Sequence, residues 1–297
     1  GGGAQGTKKR GVDYDIHHYK SDVELVPSAQ LLKARTEGRF VPAAETRSVV
    51  FEMNGSLLTT RITRSDQSSQ GKSVVSSIAT AATTTRDGRA RTVKDAKPTP
   101  ANVATKTNAG DPPATSQELQ FVQDNRENMD VRVDLGNVTP AGQPVILNFE
   151  YDAALESPQG GPIANARLAF VGEPGSYLFY AARWFPFHDY AADRATCVIN
   201  LKVPKGNLVA GYSDFPVSTI NSSDPKTKEE FTTYTYTSTK PVLPGSFAAG
   251  KYIVRSNTFG GFIVEVYVKP GDEKLADHAS EIVGKRLEFY SSKFGRY

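Results

Sequence analysis

The residues of this sequence that could do chemistry are one cysteine and four histidines: His17, His18, His188 and His278. A zinc site takes two or three ligands at fixed spacing, as in H-E-x-x-H on a helix, and no histidine of this sequence stands in that pattern. Adjacent histidines in a strand point to opposite faces, so His17 and His18 cannot close on one metal together. We therefore expect structural roles for the histidines and no metal site in this chain.

Cys197 falls at an inward position of an alternating strand, where a thiol is usually an inert small hydrophobe. A single cysteine permits no internal disulfide, so cysteine use does not identify the redox compartment. The sequence has no G-x-S-x-G nucleophile motif, and its paired glycines at 160–161 and 260–261 match neither phosphate-binding loop. No spacing singles out a pair among the plentiful carboxylates. These residues indicate a β module without a catalytic signature.

The densest group of aromatic residues lies in the segment 177–188, called the aromatic loop below. It contains the only tryptophan, Trp184, within the run RWFPFHD, and leads into an alternating strand. A turn carrying so many rings is either a core plug or a binding platform, and the plug is favoured because large rings dominate core energetics. Asp189 could pair with Arg183 or Arg194 and hold the loop, an interaction that is worth more in a buried network than on the surface.

Apolar residues that alternate with period two predict an all-β body. Segments with this pattern are 32–40, 49–51, 57–64, 129–135, 145–151, 197–203 and 262–268. Asn54-Gly55, between two of these segments, is a strong hairpin signal. Half-buried strands joined by turn residues imply antiparallel sheets packed face to face. We predict a mainly β fold, an antiparallel β-sandwich or saddle over 13–270, after a flexible N-terminus over 1–12.

One amphipathic helix of about five turns is predicted over 271–297. Asp272 can cap it, and late lysines and arginines suit the helix dipole. The apolar residues that recur at helical spacing are Leu275, Ala279, Ile282 or Val283, Leu287 and Tyr290. This stripe needs a surface to cover, either the sheet or a domain that the sequence does not include.

Residues 66–118 form a low-complexity segment rich in Ser, Thr, Ala and Lys. Its excess of basic residues would allow a nucleic-acid-binding arm, but aromatic stacking partners are absent, so a solvated insertion between two strands is favoured. Within it, 73–78 could add a short edge hairpin. A net charge of +3 is too small to argue for nucleic acid, and no apolar run approaches the ~20 residues of a membrane-spanning helix.

The sequence has 297 residues, enough for one large β domain or two ordinary ones. It begins GGGAQG without a methionine, which suggests a processed or excised chain from which any export signal has been removed. The compartment stays open, with an extracytoplasmic or cell-envelope location favoured.

The aromatic loop and its flanking strands resemble the N-terminal β-saddle domain of the zinc aminopeptidases related to membrane alanyl aminopeptidase and leukotriene hydrolase. In that family a Tyr-rich strand leads to an Arg or Trp, an aromatic residue, Pro and Asp, and then to a strand ending in V-P-x-G. The matching segments here are 177–180, 183–186, Asp189 and 203–206. Further segments that resemble the family, in the same order, are 14–25, 145–155, 247–251, 264–271 and 288–295.

This resemblance implies a non-catalytic domain that forms one wall of a peptide-binding cleft. In the family a zinc-bound water attacks the peptide carbonyl with a Glu as general base, removing N-terminal residues from peptides. The H-E-x-x-H helix, its distant Glu ligand and the G-x-M-E-N loop follow this domain there, and none of them occurs in this sequence. Zinc is therefore expected only in a catalytic metallopeptidase domain, in the same parent chain or a separate one, which would be the partner of this chain, and a peptide substrate is possible.

The resemblance also names candidate substrate-contacting residues: Glu173, Tyr177, Tyr180 and Trp184. The family has a Gln or Glu before the Pro that helps to hold the free amine of the substrate. The matching stretch has neither, and Glu173 is the nearest carboxylate. The residues expected to shape the loop are Arg183, Phe185, Pro186 and Asp189. The alternative is a stand-alone binding or scaffold module whose aromatic loop contacts a peptide, a glycan or a protein.

Overall fold

The computed structural model describes residues 13–65, 116–124, 129–155, 167–173, 175–189 and 193–295. The predicted flexible N-terminus, most of the predicted insertion and the hairpin over 73–78 lie outside these residues. The described part contains no helix with the length and hydropathy needed to cross a bilayer. Its strands, in chain order, are β1 (Tyr14–Val26), β2 (Leu31–Pro42), β3 (Thr46–Glu52), β4 (Leu58–Ser65), β5 (Ser116–Glu118), β6 (Phe121–Asp124), β7 (Asp130–Thr139), β8 (Val145–Ala154), β9 (Ala169–Phe170), β10 (Gly175–Leu178), β11 (Ala195–Pro204), β12 (Leu208–Gly211), β13 (Ser218–Ser223), β14 (Glu230–Val242), β15 (Phe247–Gly250), β16 (Ile253–Phe259) and β17 (Phe262–Val268).

Eight strands form the large sheet, in the order β13-β14-β11-β1-β2-β8-β4-β5. Its pairs are antiparallel as predicted, except that β1 and β11 run parallel. The last three residues of the predicted insertion form β5, which pairs with β4 at the edge of this sheet. The predicted mainly β, antiparallel fold is confirmed.

Two smaller sheets pack against the large sheet and enclose the core. They are the β10 sheet, in the order β12-β15-β10-β9, and the β7 sheet, in the order β3-β7-β6. One cluster of buried side chains draws on all three sheets. Phe149 of the large sheet meets Phe51 of the β7 sheet with ring centroids 5.0 Å apart. The predicted inward face of β11 is confirmed, since Cys197, Ile199, Leu201 and Val203 are all buried.

The hairpin predicted at Asn54-Gly55 is wrong. The turn exists, with the Leu57 amide donating to the Asn54 carbonyl at 3.0 Å. However, β3 belongs to the β7 sheet and β4 to the large sheet, so the chain crosses between layers here instead of returning beside itself. The buried Asn54 side chain instead donates a hydrogen bond from Nδ2 to the Arg183 carbonyl at 3.1 Å. Asn54 therefore ties this crossover to the aromatic loop.

The predicted C-terminal helix is present as α1 (Glu273–Phe294), with 22 residues or about six turns. Asp272 occupies the N-cap position, although its side chain makes no capping hydrogen bond. The helix packs on the β16–β17 hairpin. Among the described residues, α1 covers only one side of this hairpin. Val264 is therefore the only residue on the predicted inward face of β17 that is fully buried.

The face of α1 that packs on the hairpin differs from the predicted stripe. It consists of small residues at successive turns, Ala276, Ser280 and Gly284, and the ring of Phe259 lies directly against Gly284. The outer face of α1 is the set of its large exposed hydrophobic side chains, Leu275, Ile282, Val283, Phe289, Tyr290 and Phe294. At 100° per residue these six fall on one arc of about 140°, which also carries Arg286 and Lys293. The hairpin therefore leaves most of the predicted stripe exposed.

Two buried tyrosines of β1 make a matched pair for mutation. The Tyr14 hydroxyl donates to the Val50 carbonyl at 2.8 Å, whereas the Tyr19 hydroxyl is buried with no hydrogen-bond partner among the described residues. An unsatisfied buried hydroxyl costs about 1–3 kcal/mol. We expect Tyr19→Phe to raise the free energy of unfolding by about 1 kcal/mol and Tyr14→Phe to lower it by a similar amount. Urea denaturation measures both, and equal losses would contradict the prediction.

Because of the same two tyrosines, we expect the free energy of unfolding to fall at alkaline pH. Burial raises the pKa of Tyr14 and Tyr19 well above the ordinary tyrosine value, because the phenolate would lie in the core. Their contribution is therefore complete below the unfolded-state pKa of about 10, and it falls as pH rises from there toward the raised folded-state pKa. Tyr19→Phe should make stability between pH 9 and 11, roughly the onset of this titration, less dependent on pH.

Candidate functional site

The aromatic loop has an inward and an outward side because it begins in a strand. Along β10, Ser176 and Leu178 are buried, and Tyr177 and Phe179 point away from the core. Gly175 begins the strand at a close approach, since a Cβ there would stand 3.3 Å from the Tyr252 hydroxyl. This alternation separates the residues that can meet a ligand from those that hold the loop.

The second half of the loop is a core plug. Trp184 is 0% exposed, and Phe185 and Phe187 are also buried. The Trp184 indole donates from Nε1 to the Gly245 carbonyl at 3.1 Å, and its ring lies 4.4 Å from that of Phe185. Gly245 has a φ of +94°, and a Cβ there would lie 2.6 Å from the indole, so this position requires glycine for both reasons. The predicted plug is confirmed for these rings.

Backbone hydrogen bonds fix the plug to the β7 sheet. The Glu52 and Phe187 backbones exchange two hydrogen bonds of 2.7 and 3.0 Å, and the Asn54 amide donates to the Ala182 carbonyl at 2.9 Å. Arg183 lies buried below them, with its guanidinium carbon 5.4 Å from the centroid of the Tyr180 ring. Burial lowers the pKa of Arg183 from its ordinary value. These contacts make the loop part of the scaffold.

A histidine–carboxylate contact closes the far end of the loop. His188 Nδ1 lies 3.1 Å from the carboxylate of Asp193, and the His188 ring stacks on Tyr14 with centroids 3.9 Å apart. Asp189 has a φ of +39°, and its carbonyl accepts a hydrogen bond from the Asp193 amide at 2.8 Å. The sequence did not indicate the His188–Asp193 pair, and the pairing of Asp189 with Arg183 or Arg194 stays a prediction.

On the outward side lies a groove of about 380 Å³, called the β10 groove below. Tyr252 is one of the four rings that line it, and the other three form a row in which Tyr177 lies 4.9 Å from Phe179 and 5.9 Å from Phe170, measured between centroids. Two cationic side chains, Arg167 and Lys269, also line it. The Arg167 guanidinium carbon lies 5.3 Å from the centroid of the Phe170 ring. An aromatic row beside two cations can bind a planar or apolar group that carries negative charge.

The structure does not bring the four predicted substrate-contacting residues together. Tyr177 lines the β10 groove. Glu173 is exposed but lines a separate small cavity, Tyr180 is half-buried against the core, and Trp184 is buried with no path to a ligand. We therefore keep only Tyr177 as a surface contact. The sequence analysis missed Phe179, although its period-two spacing from Tyr177 could have revealed it. It also missed Phe170, Arg167 and Lys269, which no local pattern connects to Tyr177.

A second concavity, with a volume of about 480 Å³, lies on the outer face of the large sheet. Four of its charged side chains pair with one another across the strands. Arg35 meets Glu150 at 3.0 Å, and Lys202 meets Glu24 at 3.2 Å. Because these charges are partnered within the sheet, we interpret this surface as a solvated face of the fold.

Two of the histidines, His18 and His188, and the cysteine occupy structural positions, whereas His17 and His278 are exposed. His18 Nδ1 lies 2.8 Å from the Thr196 hydroxyl, and His188 is held by Asp193. Burial raises the pKa of the Cys197 thiol, which favours the protonated, unreactive form. Among the residues that the structure describes, no group of three or more His, Cys, Asp or Glu side chains could hold a metal ion.

The fold is similar to that of M1 zinc metallopeptidases. A variant of the Deinococcus radiodurans enzyme, solved with a Tyr-Ser-Ala substrate, matches with a TM-score of 0.57 and 15% identity, over 96% of this chain and 54% of its own. A variant of a two-domain M1 zinc metallopeptidase with bound L-tryptophan matches with a TM-score of 0.56 and 16% identity over the same shares. These matches confirm the resemblance at the level of the fold. The chain spans about half of the length of the matched structures, which is consistent with an N-terminal domain. No protein-family model matches the chain, and no curated protein matches it by sequence.

Proposed function

We propose that this chain is the non-catalytic β domain of a zinc aminopeptidase-like protein and forms one wall of a peptide-binding cleft. The observation that carries the proposal is the match to M1 zinc metallopeptidases over 96% of this chain but 54% of the matched chains. In this proposal the zinc, the water that attacks the peptide and the general base belong to a catalytic domain that contacts this chain. The β10 groove supplies the surface that this chain presents to the peptide.

The outer face of α1 supports the existence of such a partner. It exposes six large hydrophobic side chains in one arc, although α1 is already packed on the β16–β17 hairpin through its small residues. A concentration of large exposed apolar side chains marks interaction sites in soluble proteins, here with Arg286 and Lys293 among them. We propose that the catalytic domain covers this face. In this proposal the β domain ends before β16, and the unit β16–β17–α1 packs with the catalytic domain.

The test is reconstitution with the metallopeptidase domain that the proposal expects, in the same gene product or on another chain, called the remainder below. We expect the 297-residue chain alone to contain no stoichiometric zinc and to release no amino acid from peptides. Mixed with the separately expressed remainder, it should restore aminopeptidase turnover. The double variant Ile282→Glu/Phe289→Glu on the outer face should abolish this gain, because two carboxylates would be buried in an apolar interface. Lys274→Gln/Lys285→Gln, on the charged side of α1, makes the same change of −2 in net charge and is the matched control. A remainder without H-E-x-x-H, or zinc and turnover in the chain alone, would refute the proposal.

A second candidate function is that of a stand-alone binding module. The exposed ring row Tyr177–Phe179 favours it, since such rings serve as platforms in binding surfaces. The buried Trp184, Phe185 and Phe187 do not contribute to a platform. Ligand binding by the isolated chain, without any gain on mixing with the remainder, would favour this candidate.

A further inference from the structure

We propose that the β10 groove binds an aromatic side chain next to a carboxylate in an extended peptide, and that it does not hold the free amine of a substrate. This inference rests on the proposed function to the extent that the ligand is a peptide. It specifies which part of the peptide meets this wall and what chemistry the wall selects.

The ring row provides the aromatic contact. Tyr177 and Phe179 stack at 4.9 Å with an interplanar angle of 20°, and Phe170 continues the row at 5.9 Å from Tyr177. Phe179 is 51% exposed, so the row ends in a ring that a further ring can cover. Offset or edge contacts between aromatic rings are favourable beyond the area that they bury. An aromatic side chain of a ligand would extend the row by one member.

The charges of the groove select the group beside that ring. Arg167 and Lys269 line it, and among the described residues that line it there is no Asp or Glu. Glu173, the nearest carboxylate in sequence to β10, lines the separate cavity beside Leu25 and Pro27. Two cations attract a carboxylate and repel an ammonium group, and a guanidinium can bind a carboxylate with two parallel hydrogen bonds. The groove is therefore unsuited to the amino terminus of a peptide.

The wall behind the groove is held in place before any ligand arrives. β10 is hydrogen-bonded to β15 on one side and β9 on the other, so the Tyr177 ring stands on a paired strand. Phe179 follows β10 directly, and its amide donates to the Leu168 carbonyl at 2.8 Å. Behind them, the Ser176 hydroxyl accepts a hydrogen bond from the Gly172 amide at 3.1 Å, and Leu178 is fully buried. A preorganised surface loses little conformational entropy on binding, which permits measurable affinity for a small probe.

The experiment titrates the intact chain with three tyrosine derivatives and follows backbone amide shifts by NMR. The probes are N-acetyl-tyrosine, which carries a carboxylate; N-acetyl-tyrosine amide, which is neutral; and tyrosine amide, which carries a free amine. We expect N-acetyl-tyrosine to bind with a Kd on the order of millimolar and to shift the amides of Gly175, Ser176 and Ala248. It should bind roughly three- to tenfold more tightly than the neutral probe, with tyrosine amide the weakest.

Matched variants assign the binding to the groove. Phe179→Ser should weaken all three probes about fivefold or more, whereas Phe215→Ser, at a 61% exposed ring elsewhere on the surface, should not. Arg167→Gln/Lys269→Gln should remove the preference for the carboxylate and keep the ring contact. Lys226→Gln/Lys228→Gln, on an exposed turn, controls for the change in net charge.

The inference is overturned if tyrosine amide binds as tightly as N-acetyl-tyrosine, if Phe179→Ser and Phe215→Ser behave alike, or if no probe binds at tens of millimolar while Trp184 emission shows an intact fold. Reconstitution of turnover is measured separately. Restored turnover without probe binding would refute this inference alone, and probe binding without restored turnover would refute the proposed function alone.

Discussion

Trp184→Ala should lower the free energy of unfolding by about 3–5 kcal/mol, the usual effect of truncating a fully buried Trp. Its ring fills the space between the β10 sheet and the aromatic loop, where it contacts Phe185 and Phe247. Truncation opens a cavity there and leaves the Gly245 carbonyl without the indole donor. Denaturant titration followed by far-UV circular dichroism measures the loss, since the variant has no Trp emission.

Phe179→Ala is the matched control for this prediction, because the two residues lie on the same loop and differ in exposure. Phe179 is 51% exposed, and we expect its truncation to change the free energy of unfolding by less than about 1 kcal/mol. A platform would show the opposite pattern, with Trp184 dispensable for stability and needed for binding. Equal losses at the two positions would mean that the inward and outward sides of the loop are not distinct.

The sequence could not separate these two roles because ring density is the same in a plug and in a platform. The contacts that decide between them come from remote residues. Gly245 lies 61 positions after Trp184, and the Asn54 side chain reaches the Arg183 carbonyl across 129 positions. Only Tyr177 and Phe179, whose sides follow from strand alternation, were within reach of local reasoning.

The strands could be predicted from a local pattern, whereas their arrangement into sheets could not. Burial on one face imposes period two on β11, and this leaves a direct signature in the sequence. The partner of a strand leaves no such signature. Asn54-Gly55 has the chemistry of a hairpin turn, yet the next strand joins another sheet, because turn residues set the local backbone path and long-range packing sets the layer. The parallel pairing of β1 with β11 was hidden in the same way.

In α1, local reasoning found the helix and its apolar stripe, and left open whether the sheet or a domain outside the sequence covers that stripe. It did not find the face that packs on the β16–β17 hairpin, which uses Ala276, Ser280 and Gly284. Small residues allow a helix to approach a strand pair closely, so this packing requires small side chains. A search for large apolar residues at helical spacing does not detect such a face.

The close approach of α1 to the hairpin leads to the last prediction, that Gly284→Val detaches α1 while the main core stays folded. A Cβ at Gly284 would overlap the ring of Phe259, and overpacking of this kind costs about 1–3 kcal/mol. Val264 and Ala276 are buried in this unit but do not belong to the main core cluster, so the unit has little other burial with which to offset the loss.

Gly284→Val should therefore lower the midpoint of the thermal transition seen by circular dichroism at 222 nm, which reports α1, and leave the Trp184 emission transition unchanged. His278→Val, on the exposed side of the same helix, controls for the β-branched residue. If both probes shifted together in Gly284→Val, the unit β16–β17–α1 would be folding as one body with the three sheets. Its assignment to the catalytic side of the protein would then lose its physical basis, because a unit that belongs to another domain should not share the cooperativity of this core.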